Sequence, residues 1–148
     1  MMTNVLIERA SDADGPSILQ LLQDAGLPID GLLEHLDTAF VARDGRAIVG
    51  CSALETYDDG ALLRSVVVAP TVRGRGVGQR LTAAALTLAQ SLEMPAVYLL
   101  TTSAESYFPK FGFVRVTREQ VPASIKQSIE FGSACPASAI VMCRALID

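Results

Sequence analysis

The chain of 148 residues is 50% hydrophobic and 19% charged, a composition that supports a packed core and argues against disorder. Its formal net charge of −4 argues against a general affinity for nucleic acid or an anionic membrane, so an anionic ligand needs a local basic cluster. The three cysteines include no CxxC pair, and with the lone His35 they match no usual zinc spacing. These features predict one cytoplasmic domain over residues 1–148, with no metal, no secretory leader and no membrane-spanning run.

The first half of the chain predicts a strand, two helices and a hairpin. Ser11 and Asp12 supply capping and early negative charge for a helix, which Gly26 and Pro28 end. The dipeptide Asp44-Gly45 is a strong signal for a two-residue turn between antiparallel strands. The predicted elements are a strand at 6–9, a helix after residue 11, a short helical segment at 32–36, and strands at 38–43 and 46–55.

The second half predicts strands on either side of a long helix. Residues 61–69 are nearly all apolar, which is typical of a central strand buried on both faces. A helix at 77–91 and a strand at 96–101 follow, and this order implies a parallel strand pair with a right-handed crossover. The remaining predicted elements are a short helix after Thr102 that ends near Phe111, strands at 113–117 and 139–146, and an ambiguous segment at 119–137. The pattern is that of an α/β domain with a mixed sheet.

A glycine-rich turn follows the central strand, with the sequence Arg73-Gly74-Arg75-Gly76-Val77-Gly78. Glycine lets the backbone approach an anion closely and adopt positive φ, and the following helix presents N–H groups and a positive dipole end. Arg73, Arg75 and Arg80 are expected to add positive charge beside the anion pocket in an otherwise acidic chain. The turn is therefore predicted to bind a pyrophosphate.

Three known phosphate-binding patterns compete for this turn. A Walker A loop ends in Gly-Lys-Ser/Thr, whereas Gly78 is followed by Gln79 and Arg80. A dinucleotide fingerprint needs G-x-G-x-x-G and an acidic residue about twenty positions later, whereas these glycines are spaced G-x-G-x-G and the region around Tyr98 is apolar. The third pattern, R-x-x-G-x-G after V-x-V-x-P, is matched in full from Val66 to Gly78.

On these residues the chain resembles the GNAT family of N-acetyltransferases, and a second mark of that family is the segment Phe111-Gly112-Phe113 leading into a strand. The resemblance implies the GNAT fold, a mixed twisted sheet of about six to seven strands with helices on both faces. It also implies that the turn at 73–78 binds the pyrophosphate of acetyl-CoA, the co-substrate. The backbone of Val66, Val67 and Val68 is then expected to pair with the pantetheine arm and to offer an N–H to the thioester oxygen.

In the family, a neutral amine attacks the thioester directly, which requires loss of the amine proton, stabilisation of an oxyanion and protonation of the thiolate. The usual thiolate acid is a Tyr four residues before the glycine of the Gly-Phe pair, a slot that Phe108 occupies here, with Tyr107 one position earlier. One residue is about 100° around a helix, so Tyr107 is either the acid or a packing and pocket-lining residue. Glu55 is the candidate base, acting through water, and an ordinary solvent-facing strand end is the alternative.

Two further polar side chains are candidates for binding the acceptor. Arg64 is a cation in an otherwise apolar strand, two positions before Val66 and so expected on the same face. A buried guanidinium needs an anionic partner, which is either Glu55 or a carboxylate of the substrate. His35 lies in the region that walls the acceptor site in relatives, and an ordinary surface histidine is the alternative description.

A narrower resemblance bears on the type of acceptor. Segments that contain His35, Phe108 and Ser138 resemble the acetyltransferase domain of N-acetylglutamate synthases and, more closely, small arsenic-resistance N-acetyltransferases. Phe108 and Ser138 are therefore further candidates for binding the acceptor. The synthases carry a basic residue just before the matching serine, where this chain has Pro136 and Ala137, which argues against glutamate as the acceptor.

The sequence as a whole predicts an acetyl-CoA-dependent N-acetyltransferase that acts on the primary amine of a small, amino-acid-like acceptor, as a monomer or homodimer. Two other functions stay open. One is a non-catalytic acyl-CoA sensor, which the missing family Tyr favours, and the other is N-acetylation of a protein or peptide. The scattered cysteines do not support an arsenic site, because isolated cysteines are most often core residues.

Overall fold

The computed structural model describes residues 5–102, 104–128, 131–132 and 138–146. The strands are β1 (Val5–Arg9), β2 (Ala39–Asp44), β3 (Ala47–Tyr57), β4 (Gly60–Val68), β5 (Ala96–Thr101), β6 (Val114–Val116) and β7 (Ile140–Ala145). The α-helices are α1 (Gly15–Asp24), α2 (Val77–Ser91) and α3 (Ala123–Lys126). Short 3-10 helices span Asp12–Asp14, Leu32–Thr38, Pro70–Val72, Phe108–Phe111 and Arg118–Gln120. The predicted bounds of α2 and β5 are confirmed residue for residue.

The described residues form a seven-stranded mixed sheet in the order β1-β2-β3-β4-β5-β7-β6. In this sheet β4 and β5 are the parallel pair, and the pairs on either side run antiparallel. The crossover between β4 and β5 contains α2, as the alternation of strand and helix predicts. The predicted α/β class and mixed sheet are confirmed.

Helices cover both faces of the sheet. The face under α1 holds a cluster that includes Ile18, Leu22, Val41, Cys51 and Val67. The face under α2 holds a cluster that includes Leu63, Ala85, Leu86, Val97 and Phe113. Neighbouring residues of β3 divide between the two, since Ala53 lies in the first cluster and Leu54 in the second, as the alternation of strand side chains requires.

The parallel pair at the centre of the sheet is short. It is registered at Ala61 with Val97 and at Leu62 with Tyr98, although β4 continues to Val68 and β5 to Thr101. Beyond these two pairs the strands are no longer bonded to each other. The sheet therefore opens in its middle, and the opening lies at the carboxyl ends of both strands.

A β-bulge in β4 determines which way its side chains face. Val67 pairs with Cys51 and Arg64 with Ala53, so two residues of β4 oppose one of β3, and Ser65 has a φ of +61°. The extra residue reverses the alternation, because Val66 packs with the cluster under α2 whereas Arg64 bonds to the loop after α1. The expectation that Arg64 and Val66 share a face is wrong for this reason.

The segment before β6 also departs from expectation. Instead of a helix that starts after Thr102, turn residues lead to the 3-10 helix Phe108–Phe111, and Gly112 ends it with a φ of +90°. Pro109 lies near the start of that short helix, where its missing N–H costs little. Among the described helices, none has both the length and the apolar character that a bilayer crossing needs.

Candidate active site

A cleft of about 1000 Å³ opens where β4 and β5 separate. Its walls are the two strands, the glycine turn with the start of α2, the loop after α1 and the segment around Tyr107. The sequence-predicted residues that line it are Arg64, Val66, Val67, Val68, Arg73, Gly74, Gly76, Val77, Gly78, Tyr107 and Phe108. Four described candidates, Glu55, Arg75, His35 and Ser138, are not among its lining residues.

The glycine turn has the geometry of an anion site. Gly74 and Gly76 have φ values of +83° and +77°, in the left-handed region that favours glycine. Gly76 directly precedes the 15-residue helix α2, whose first N–H groups have no acceptor within the helix. Those N–H groups and the positive end of the helix dipole lie at the end of the cleft that the turn lines. This end is suited to a phosphate group.

The arginines of the turn differ in their placement. Arg73 lines the cleft, and its Nε donates to the Val68 carbonyl at 3.2 Å. Arg75 is exposed outside the cleft lining. Arg80 donates to the Val5 carbonyl at 2.9 Å and so joins α2 to the edge strand β1. The expectation that Arg80 adds charge beside the phosphate pocket is therefore wrong.

Tyr107 reaches the start of α2. A Cβ added to Gly78 would lie 3.0 Å from the Tyr107 hydroxyl oxygen, so glycine is needed here to leave space for that hydroxyl. Burial raises the pKa of Tyr107, and a hydrogen bond with Thr82 only partly opposes this. The hydroxyl is thus protonated at neutral pH. It lies at the end of the cleft that the glycine turn lines.

Phe108, in the slot of the family Tyr, is a core residue that also lines the cleft. It is 7% exposed. Its ring meets that of Tyr107 edge-on, with centroids 5.1 Å apart, and that of Phe113 at 5.7 Å. A hydroxyl at this position would enter an aromatic cluster, which explains why phenylalanine is accommodated there.

Lys110 is a cleft-lining cation that sequence reasoning missed. Its Nζ lies 4.0 Å from the centroid of the Tyr107 ring, a cation–π contact. The signal in the sequence was weak, because a single lysine in an aromatic segment usually belongs to a solvated face. The register of the short 3-10 helix, which a sequence does not show, places it over the ring.

On the other side of β4, Arg64 is bonded within the protein. Its side chain is fully buried, with 0% exposed, and Nη1 is 3.0 Å from Oε2 of Glu55. Nη1 and Nη2 also donate to the carbonyls of Asp30 and Pro28 at 2.7 and 3.1 Å. Nε donates to the Ser65 hydroxyl at 3.0 Å. Of the two partners that the sequence leaves open, Glu55 is observed, and the guanidinium joins the bulge of β4 to the loop after α1.

The buried carboxylate of Glu55 gathers several polar groups. Besides Arg64, it accepts a hydrogen bond from the Tyr57 hydroxyl, and its Oε1 is 3.7 Å from Nε2 of His35. The side chain of Glu55 is 3% exposed and that of His35 is 26% exposed. The structure therefore brings together His35, Glu55 and Arg64, three predicted residues from different elements of the fold. Of these three side chains, that of His35 reaches solvent.

The remaining candidates are less connected to the cleft. Ser138 is exposed and directly precedes Ala139, which lines the cleft.

Cys51 is buried beside the bulge, and burial raises the pKa of its thiol to about 12, which makes it unreactive. Cys135 lies outside the described residues. Within the described ranges, no group of three or more His, Cys, Asp and Glu side chains is placed to hold a metal ion.

Comparison with known proteins gives a consistent result. The profile of the family described as "Acetyltransferase (GNAT) domain" matches residues 35–115, more than half of the chain. An amino-acid acetyltransferase of Mycobacterium tuberculosis is 29% identical over 131 residues, which cover 81% of this chain and 74% of that protein. An amino-acid acetyltransferase of Ralstonia nicotianae is 29% identical over 127 residues, which cover 78% of this chain but 28% of that protein.

Solved structures share the fold. N-acetylglutamate synthase from Neisseria gonorrhoeae, complexed with coenzyme A and N-acetyl-glutamate, superposes with a TM-score of 0.83 at 21% identity, over 100% of this chain and 36% of that one. The Mycobacterium tuberculosis protein Rv2747 in complex with CoA gives 0.80 at 24% identity, over 96% and 99% of the two chains. This chain thus spans about a third of the longer relatives. Its profile match, fold and glycine turn agree, and the chain belongs to the GNAT acetyltransferase family.

Proposed function

We propose that this chain is an acetyl-CoA-dependent N-acetyltransferase that acetylates the primary amine of a small, amino-acid-like acceptor. The observation that carries the proposal is the glycine turn at the end of β4, which opens onto the cleft between β4 and β5. A phosphate site followed by an extended groove suits a cofactor that has a pyrophosphate and a long arm. The Mycobacterium tuberculosis relative, named an amino-acid acetyltransferase, supports the type of acceptor.

The donor is held by the backbone of β4. Beyond Leu62 this strand is not paired with β5, so the side of its backbone that faces β5 can bond to the amide groups of pantetheine. The residues concerned are those predicted for this role, Val66, Val67 and Val68. An N–H of this stretch, next to the bulge at Ser65, is available to the thioester oxygen as negative charge develops there.

Acetyl transfer then needs three changes of bonding. The neutral amine nitrogen attacks the thioester carbonyl carbon and forms the C–N bond, which gives a tetrahedral oxyanion. Collapse of the oxyanion breaks the C–S bond and releases the coenzyme thiolate. The amine proton leaves to a base, and the thiolate accepts a proton from an acid or from water. A thiolate is a fairly good leaving group, so a dedicated acid is not essential.

The acceptor is proposed to bind at the end of the cleft beside Arg64 and the loop after α1, with Phe108 on the wall of its site and Ser138 near the rim. An acceptor carboxylate can reach the Arg64 guanidinium only by replacing a loop carbonyl, such as that of Pro28 or Asp30. A carboxylate is the stronger hydrogen-bond acceptor for a guanidinium, so this exchange is feasible. The proposed contact of Arg64 with the acceptor is therefore a carboxylate that takes the place of a loop carbonyl.

The base is proposed to be the pair of His35 and Glu55, which lie outside the cleft lining and would therefore take the amine proton through water, as expected for Glu55. Glu55 is buried and bonded to Arg64 and Tyr57, so it does not reach solvent by itself. His35 is partly exposed and contacts the same carboxylate, so it can pass a proton between solvent and Glu55. We expect His35→Gln to lower kcat at neutral pH by roughly 100-fold, the usual contribution of general base catalysis. The loss should shrink as the pH approaches the pKa of the acceptor amine, because the amine then loses its proton unaided. Rate profiles from pH 6 to about 10 measure this; a pH-independent loss would contradict it.

Tyr107 is expected to contribute less. Its hydroxyl lies at Gly78 and bonds with Thr82, at the coenzyme end of the cleft. Tyr107→Phe should therefore lower kcat by less than about 10-fold, since general acid catalysis is typically worth 100-fold or more. Steady-state kinetics with saturating acetyl-CoA provide the measurement. A loss of 100-fold at unchanged KM would instead assign the hydroxyl as the acid that protonates the thiolate.

The proposed function is tested by following thiol release from acetyl-CoA with a panel of amino acids, amines and peptides. Mass spectrometry then identifies the acetylated product. Turnover with one or more small amines that carry a carboxylate is the expected result. Binding of acetyl-CoA without turnover on any acceptor would favour the acyl-CoA sensor, and turnover on peptides alone would favour the protein or peptide substrate.

A further inference from the structure

Two of the arginines that the sequence suggested for the phosphate pocket, Arg75 and Arg80, do not line the cleft. Among the described residues, the cleft is lined by three cations, Arg64, Arg73 and Lys110. Arg64 is buried and paired with Glu55, on the opposite side of β4 from the cluster under α2. Arg80 is bonded to the carbonyl of Val5, away from the cleft. At the end that the glycine turn lines, Arg73 and Lys110 remain.

Lys110 is held beside the glycine turn through one aromatic ring. Its ammonium lies 4.0 Å from the centroid of the Tyr107 ring. The hydroxyl of that same ring fills the space where a Cβ of Gly78 would be, with 3.0 Å between the two positions. The ammonium thus lies over the ring whose hydroxyl reaches the first turn of α2. Its flexible stem lets it move over the ring towards an anion bound there.

A pyrophosphate at the turn places two negative charges next to one helix end. The N–H groups after Gly76 and the helix dipole supply partial positive charge, and Arg73 supplies one full charge. The whole chain is acidic, with a formal net charge of −4, so the positive charge that offsets a pyrophosphate has to come from residues next to it. Arg73 belongs to the turn itself, whereas Lys110 belongs to the short 3-10 helix before β6.

We infer that Lys110 is a second cationic contact for the coenzyme pyrophosphate, made from a different element of the cleft wall than Arg73. The inference rests on the proposed use of acetyl-CoA and adds a residue to its binding site. Tyr107 positions this lysine, since its ring supports the ammonium while its hydroxyl contacts the turn. The coenzyme is then held between the glycine turn and the short 3-10 helix that contains Lys110, which are distant in sequence.

The experiment measures the Kd of coenzyme A and of 3′-dephospho-CoA by calorimetry for the wild type, Lys110→Met and Lys110→Arg. Methionine keeps an unbranched apolar stem on the Tyr107 ring but removes the charge, and arginine keeps the charge. Lys126→Met is the matched control, because the chain's other lysine lies on α3 and does not line the cleft. Thermal unfolding of each variant shows that the fold is retained.

Lys110→Met should weaken binding of both ligands by roughly 3- to 10-fold, the effect of one partly exposed ionic contact. The weakening should diminish as salt is raised, and Lys110→Arg and Lys126→Met should bind like the wild type. Equal affinity of Lys110→Met and wild type would overturn the inference. So would a loss limited to coenzyme A, because it would place the contact at the 3′-phosphate. Failure of the wild type to bind coenzyme A at all would overturn the proposed function itself.

Discussion

Arg64→Met should lower the free energy of unfolding by about 3–5 kcal/mol, because it leaves the buried Glu55 carboxylate without its cationic partner. It also removes the donor that holds the loop carbonyls of Pro28 and Asp30. Urea denaturation followed by circular dichroism measures the change. Arg115→Met is the control, since Arg115 is exposed and its ion pair with Glu105, at 4.0 Å, should contribute little.

A double variant identifies the cause of that destabilisation. If the cost comes from an uncompensated buried charge, Arg64→Met combined with Glu55→Gln should be more stable than Arg64→Met alone. If the double variant is no more stable, the loop bonds account for the loss instead. A stable Arg64→Met protein whose acceptor KM rises 10- to 150-fold, with coenzyme binding intact, would show that recognition of the acceptor is the main role of Arg64.

Gly76→Asp should weaken coenzyme A binding by roughly 10- to 150-fold relative to Gly76→Asn. Aspartate and asparagine have the same size, and both tolerate the left-handed region, where Gly76 has a φ of +77°. The two variants therefore share the backbone cost and differ in a negative charge at the start of α2. That charge repels the pyrophosphate and competes for the N–H groups that would bind it.

Calorimetric titration of both Gly76 variants with coenzyme A provides the comparison. Thermal unfolding should give the two variants similar midpoints, which separates an effect on folding from an effect on binding. The same Kd for aspartate and asparagine would contradict a phosphate site at this turn. Weak binding by both variants would instead indicate that the conformation of the turn, rather than charge, limits affinity.

The sequence by itself determined those features that depend on contiguous residues. The run of apolar residues in β4, the glycine turn and the helix α2 follow one another along the chain, and each has a local physical cause. Apolar side chains form the central strand, glycines permit positive φ, and the helix start offers N–H groups to an anion. For this reason the family and the parallel crossover were predictable, and the phosphate site at the turn stays a prediction.

The tertiary structure decided what depends on register and on packing between distant segments. One extra residue at Ser65 moved Arg64 to the face under α1, and no local pattern marks such a bulge. Packing between distant segments also brought Glu55 next to His35 and placed Arg80 beside the edge strand. The short 3-10 helix placed Lys110 over the Tyr107 ring, because its orientation is fixed by the aromatic core beneath it. Side-chain direction in this protein is thus set by long-range packing, which the order of residues does not encode locally.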